Sequence, residues 1–321
     1  MKKYFVSHKL DISVSFFFVL IMLIFIAAKP EVFIGYKIYM AVFTSLGLVA
    51  ILTTAIVFII VVGEIDLSFP SVIGMGAWIF ALSFKVGINP YICFLIALIV
   101  GCFIGFLNGI MVTKLGLPSL VLTLGMNFLL RGIIMIGSQA NNISLVPLRA
   151  SFFRSLFVGN LGGVFPVQML WAIGFSIFFY FIFYRHRFGG HVCFVGDNIL
   201  SAREMGVKVD RVKITTFIMV GFCAAFIGVL SSLLNNVFYA TAGNGYLLLI
   251  LAAVFLGGTP TWGGIGTILG AVVGSFIISF VQTGVIAVGL TGYYTDFFFG
   301  LILVIALISH RFTGGNLKKL K

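Results

Sequence analysis

Charge is what this chain has least of. Asp, Glu, Lys and Arg make up 9% of its 321 residues, where a soluble domain carries roughly a quarter. The few charges cluster in short gaps between apolar runs, each close to the ~20 residues a helix needs to cross a bilayer. That excludes a soluble domain and points to a polytopic membrane protein. Cysteine is also scarce: Cys93, Cys102, Cys193 and Cys223 form no C-x-x-C pair, so they read as small apolar residues and not as a disulfide or metal framework. No G-x-x-x-x-G-K-[ST] loop occurs, so ATP phosphates are not cradled here in that way. The four histidines, His8, His186, His191 and His310, fall near predicted cytoplasmic helix ends and not at mid-membrane. Neither an arginine-rich voltage-sensor helix nor a T-V-G-Y-G filter is present. These absences lead to an expectation of no catalysis and no cofactor on this chain.

What is abundant is apolar surface and glycine. Apolar residues make up 61% of the chain, the mean hydropathy is +1.22, and 38 glycines suit helices that pack closely within a membrane. The net charge of +12 would suggest nucleic acid in a soluble protein. Here it reads as basic loops that hold topology, and no nucleic-acid partner is expected. Ten apolar segments can be drawn, at 12–28, 38–62, 70–84, 90–113, 116–136, 167–184, 214–234, 246–257, 266–290 and 295–309. The first follows Lys2 and Lys3 without a signal-peptide cleavage pattern, and reads as a retained helix. With both termini placed in the cytoplasm, 14 basic residues fall on that side and 5 on the other, which favours this orientation.

The segments form a single transmembrane domain over 1–321, with a cytoplasmic loop at 185–213 and an external loop at 138–166. The external loop carries an apolar stretch, Phe152–Phe157, that reads as a short interfacial helix. An internal repeat, 40–137 against 214–309, is expected. Segment two ends in Val61-Val62-Gly63 and segment eight in Leu256-Gly257-Gly258, both Gly-broken turns leading into a small-residue helix. Interrupted helices in matching places mark the pathway of many transporters.

Three places can carry function. Two of the chain's eight acids, Glu64 and Asp66, fall in Gly63-Glu64-Ile65-Asp66-Leu67-Ser68. They read either as polar lining or hinge, or as a turn in which Asp66 or Ser68 caps the next helix. Arg131 sits within a segment, to be explained by snorkelling or by an intramembrane carboxylate. In Gly196-Asp197-Asn198-Ile199-Leu200-Ser201-Ala202-Arg203-Glu204-Met205-Gly206, Asp197 or Asn198 can cap a short helix that Gly206 ends. The mixed apolar and charged faces of that helix suit docking to a partner.

In order and spacing, Ile65-Asp66-Leu67-Ser68, the stretch from Gly196-Asp197-Asn198 through Ala202-Arg203 and Gly206-Val207 to Arg211-Val212-Lys213, and Ala252 to Gly258 followed by Gly263-Gly264, Gly266-Thr267 and Gly270 resemble ribose-type ABC permeases; Asp296 followed by the last apolar run also matches, close to the autoinducer-2 branch. Two departures stand out: Leu247-Leu248-Leu249 where many relatives carry an acid, and Glu64 where Gly is common. The resemblance implies an all-α, type II-like importer permease of about ten spans in a bacterial inner membrane. It implies a sugar or sugar-like solute moved by alternating access, a separate ABC ATPase, a periplasmic or lipoprotein substrate-binding protein, and a second permease copy or paralogue, all in contact with membrane lipid. It assigns Gly196, Asp197, Asn198, Ala202, Arg203, Glu204 and Gly206 to ATPase coupling. Gly63, Glu64, Asp66, Ser68, Gly257 and Gly258 become pathway or hinge residues. The alternative is an ion-coupled secondary transporter using Glu64, Asp66 and Arg131.

Overall fold

The structure is a computed structural model that describes Val19, Met22, Leu23 and residues 25–318, with side chains described as far as Ile308. Nine of the ten predicted segments coincide with helices, and the first, 12–28, lies largely outside the described residues. Six helices are long and apolar enough to cross a membrane. These are α1 (Tyr36–Val61), α3 (Pro90–Lys114), α4 (Ser119–Ser138), α6 (Val167–Tyr184), α9 (Val209–Asn235) and α11 (Ile268–Val288). Three further apolar helices are shorter: α2 (Phe69–Lys85), α10 (Tyr246–Leu256) and the apolar part of α12 (Tyr293–Lys318).

The loop predicted at 185–213 is itself helical in part, with α7 at Arg187–Asp197 and α8 at Ile199–Glu204. The interfacial helix forms as α5, Phe152–Val158, capped by the Ser151 hydroxyl. Its Phe153 and Phe157 are buried among Phe80, Phe94 and Trp171, so it plugs into the bundle and does not merely rest on it. Near it β1 (Ile143–Ser144) pairs antiparallel with β4 (Val237–Phe238), and β2 (Asn160–Leu161) with β3 (Phe165–Pro166).

The two longest apolar helices form the centre. Both α1 and α9 are apolar around most of their circumference and are mostly buried, as such helices must be. The helix α9 packs into the pair α2 and α3, and α1 packs into the pair α10 and α11, while α4 lies outside on α2 and α12 outside on α10. Glycine lets α3 and α9 approach backbone to backbone. A Cβ at Gly101 would fall 2.4 Å from the Gly221 carbonyl oxygen, and one at Gly105 would fall 2.3 Å from that of Phe217. With lipid as apolar as the side chains, this close packing, and not the hydrophobic effect, holds the helices together.

Candidate functional site

The site grows from the carboxyl end of α1. Gly63 adopts φ +90°, which only glycine does without a Cβ penalty. Its N–H donates to Ile60 and that of Glu64 to Ile59, both at 3.0 Å, the paired bonds of a Schellman stop. The chain then runs irregularly to Ser68, and its backbone donors still need partners. The first two turns of α4 supply them: Ser119 Oγ accepts from Ile65 N at 3.2 Å, and Thr123 Oγ1 from Leu67 N at 2.9 Å.

Asp66 is 3% exposed. Its Oδ1 accepts from the Ser68 N–H at 2.7 Å and the Ser68 hydroxyl at 2.6 Å, and Ser68 Oγ accepts from Asn108 Nδ2 on α3 at 2.9 Å. Ser68 holds the cap position of α2, but no side chain caps that helix; Asp66 instead fixes Ser68 itself through its N–H and hydroxyl. Burial pushes the Asp66 carboxyl above the ordinary carboxylate range, and the two Ser68 bonds pull it back. Glu64 is paired. Its Oε1 meets Lys213 Nζ of α9 at 2.5 Å, with the two side chains 13% and 14% exposed. Asn108, Ser119 and Thr123 are the residues sequence reasoning misses; their one visible signal is hydroxyls four apart in an apolar run.

The 196–206 segment reaches the same place. Of the two predicted caps, Asn198 is the cap, its Oδ1 accepting from Leu200 N at 2.9 Å and Ser201 N at 3.1 Å. Asp197 is instead the last residue of α7, so its capping role is corrected. The capped helix α8 spans six residues, Ile199–Glu204. Gly206, at φ +79°, closes it with a second Schellman stop: Gly206 N donates to Arg203 and Val207 N to Ala202. Ala202 is buried beneath, while Leu200 and Met205 are 69% and 59% exposed. Arg203 and Glu204 are exposed as well.

Gly196 is where this segment meets α1. A Cβ there would stand 1.7 Å from the Val61 carbonyl oxygen and 2.6 Å from Gly264 N. Gly264 N itself donates to Val61 O at 2.8 Å. The glycine-rich stretch after α10, the end of α1 and the end of α7 therefore meet backbone to backbone at this point. Gly257 and Gly258 end α10 as Gly63 ends α1, with Gly258 N donating to Phe255 and Thr259 N to Val254. Gly257 also lies against the Gly270 carbonyl of α11, 2.5 Å from a built Cβ. On the same end, Lys114 pairs with Asp210 at 2.6 Å. Arg131 is not part of this cluster. Its Nη1 donates to the carbonyls of Ala240 and Ala242, at 3.3 and 2.9 Å, and no carboxylate among the described residues pairs with it, so the carboxylate reading is corrected.

The region thus joins glycine-stopped helices, a buried acid–hydroxyl network and a capped helix with exposed apolar side chains. A family model described as the permease component of the branched-chain amino acid transport system matches residues 38–307. The chain belongs to this permease family. The permease is 29% identical over 273 residues to the autoinducer 2 import system permease protein LsrC of Photorhabdus luminescens, covering 83% of this chain and 80% of that protein. It is 30% identical to the LsrC proteins of Yersinia pseudotuberculosis and Yersinia pestis, covering 83% of this chain and 75% of theirs. No solved structure matches the permease. The motif resemblance is thus borne out at the level of the family.

Proposed function

We propose that this permease is the membrane subunit of a binding-protein-dependent ABC importer. It moves a simple sugar or sugar-like solute, of the ribose or autoinducer-2 type, by alternating access across a bacterial inner membrane. A separate ATPase drives it, a periplasmic or lipoprotein binding protein delivers the solute, and a second copy or paralogue completes the pathway. Ten spans with both termini cytoplasmic, and a repeat of 40–137 in 214–309, belong to the same reading. The repeat is supported by the exchange of central helices, since α1 packs with α10 and α11 as α9 packs with α2 and α3.

The observation that carries the proposal is α8. A six-residue helix is stopped at both ends, seated by Ala202, and presents Leu200 and Met205 to the outside. Exposed apolar residues on a rigid, capped element suit a groove in a partner. The ion-coupled alternative loses its support, because Glu64 is matched by Lys213 and Arg131 by backbone carbonyls. The test is co-purification with a co-expressed ATPase. Leu200→Asp with Met205→Asp is expected to leave membrane insertion intact, release the ATPase and abolish substrate-stimulated hydrolysis. Equal recovery and equal stimulation by the double variant would remove the coupling role.

A further inference from the structure

A second polar site lies further back along α1, toward the middle of that helix. Ser45 is about 24 Å along the helix from Val61 at 1.5 Å per residue, and it lines a cavity of about 150 Å³. The cavity collects Ser45 from α1, Asn244 from the loop before α10, Gln282 from α11, and Thr295 and Asp296 from the first turn of α12. Val49, Leu249 and Phe299 form its apolar wall. In a chain where 9% of residues are charged, five polar side chains from four segments meet at this one cavity: Thr295 is buried, Ser45 and Gln282 are half-buried, and Asn244 and Asp296 are exposed and so open to a polar occupant.

We propose that this cavity is a subsite for one neutral, polyhydroxylated small molecule, a deepening that rests on the importer reading above. The chemistry is specific. The Ser45 hydroxyl donates to Gln282 Oε1 at 3.0 Å, so the Gln282 carbonyl is engaged and its amide N–H₂ is the donor side. Asp296 makes no ion pair among the described residues and supplies two acceptor oxygens. Asn244 adds both kinds of group. Vicinal hydroxyls both donate and accept, so they match an alternating carboxylate and amide set, while the C–H face of a sugar packs on Phe299. No Lys, Arg or His lines the cavity. A phosphate or an amino-acid carboxylate would therefore meet Asp296 with no counter-charge. The volume is below the ~300–1,000 Å³ of drug-sized sites, which limits the occupant to a single small unit.

The test is saturation-transfer NMR on the full-length permease in nanodiscs, with D-ribose and D-xylose as neutral probes and D-ribose 5-phosphate and L-leucine as charged ones. The neutral sugars are expected to bind. Asp296→Asn and Gln282→Leu are each expected to weaken that binding about tenfold, the loss of one hydrogen bond to a polar or charged partner, with melting temperature unchanged. A variant that melts early is replaced by Ser45→Cys in a background lacking the four native cysteines, with D-ribose expected to protect the thiol from labelling. Absence of sugar binding, tighter binding of L-leucine or the phosphate, wild-type affinity in both variants, or an unprotected thiol each overturns the subsite. ATP-driven uptake into vesicles holding the permease with its ATPase and binding protein separates the two readings. Sugar binding without nucleotide-dependent uptake overturns the importer alone, whereas uptake without cavity binding overturns the subsite alone.

Discussion

Lys213 on α9 closes on Glu64, two residues past the cap of α1, at 2.5 Å with both side chains nearly buried. The pair ties the two central helices at the end where the 196–206 segment packs. Removing one member strands the other away from water, a larger effect than the pair's own net worth. Glu64→Leu or Lys213→Leu is expected to lower stability by roughly 3 kcal/mol, and the double exchange Glu64→Leu with Lys213→Leu to recover most of it. A double-mutant cycle on melting in detergent reads this directly. Additive losses would show that the contact contributes nothing.

Asp66 is expected to be replaceable only by a residue that accepts two hydrogen bonds. Asp66→Leu leaves the Ser68 N–H and hydroxyl without their acceptor in a buried site, a cost of about 1–3 kcal/mol for each stranded donor, while Asp66→Asn keeps an Oδ1 in place. Monodisperse yield after solubilisation is the measurement. Wild-type yield from the Leu variant would contradict the network.

Gly196→Ala is expected to abolish folded protein, since its methyl group would stand 1.7 Å from the Val61 carbonyl oxygen. Gly125, with nothing within 4 Å of a built Cβ, is the matched control. Gly125→Ala is expected to be neutral or stabilising by up to about 1 kcal/mol. Similar size-exclusion profiles for the two variants would refute the close contact.

Asn198, and not Asp197, caps α8. Asn198→Ala is expected to raise amide exchange across 199–204 by an amount equivalent to about 1 kcal/mol, and Asn198→Asp to restore protection. Asp197→Ala is expected to leave the cap bonds of α8 unchanged. Faster exchange in the Asp197 variant than in Asn198→Ala would reverse the assignment.

Much of this architecture is legible in residue order. The apolar runs locate nine described helices, and Gly63 and Gly258 mark the stops of α1 and α10, as Gly206 marks that of α8, because a left-handed turn needs glycine whatever surrounds it. The Asn198 cap is local in the same sense, though sequence alone leaves Asp197 equally eligible. What is not legible depends on distant packing. Asn108 reads as one polar residue in an apolar helix until α3 is placed beside Ser68. Arg131 finds backbone carbonyls more than a hundred positions away, and a carbonyl carries no residue-type signal. The Glu64–Lys213 pairing likewise joins residues 149 apart. The polar cavity draws on four segments, each with only one or two polar groups.

The contact of Gly196 and Gly264 with the Val61 carbonyl has a mechanical side. Side chains are springs: they change rotamer and absorb part of any push. Here main chain bears on main chain, fixed by the Gly264-to-Val61 hydrogen bond of 2.8 Å. A joint of that kind has little backlash, so a shift of α7 toward α1 presses Gly196 on a Val61 carbonyl that is already tied to Gly264. The three backbones therefore form one stiff joint, next to α8 in the chain.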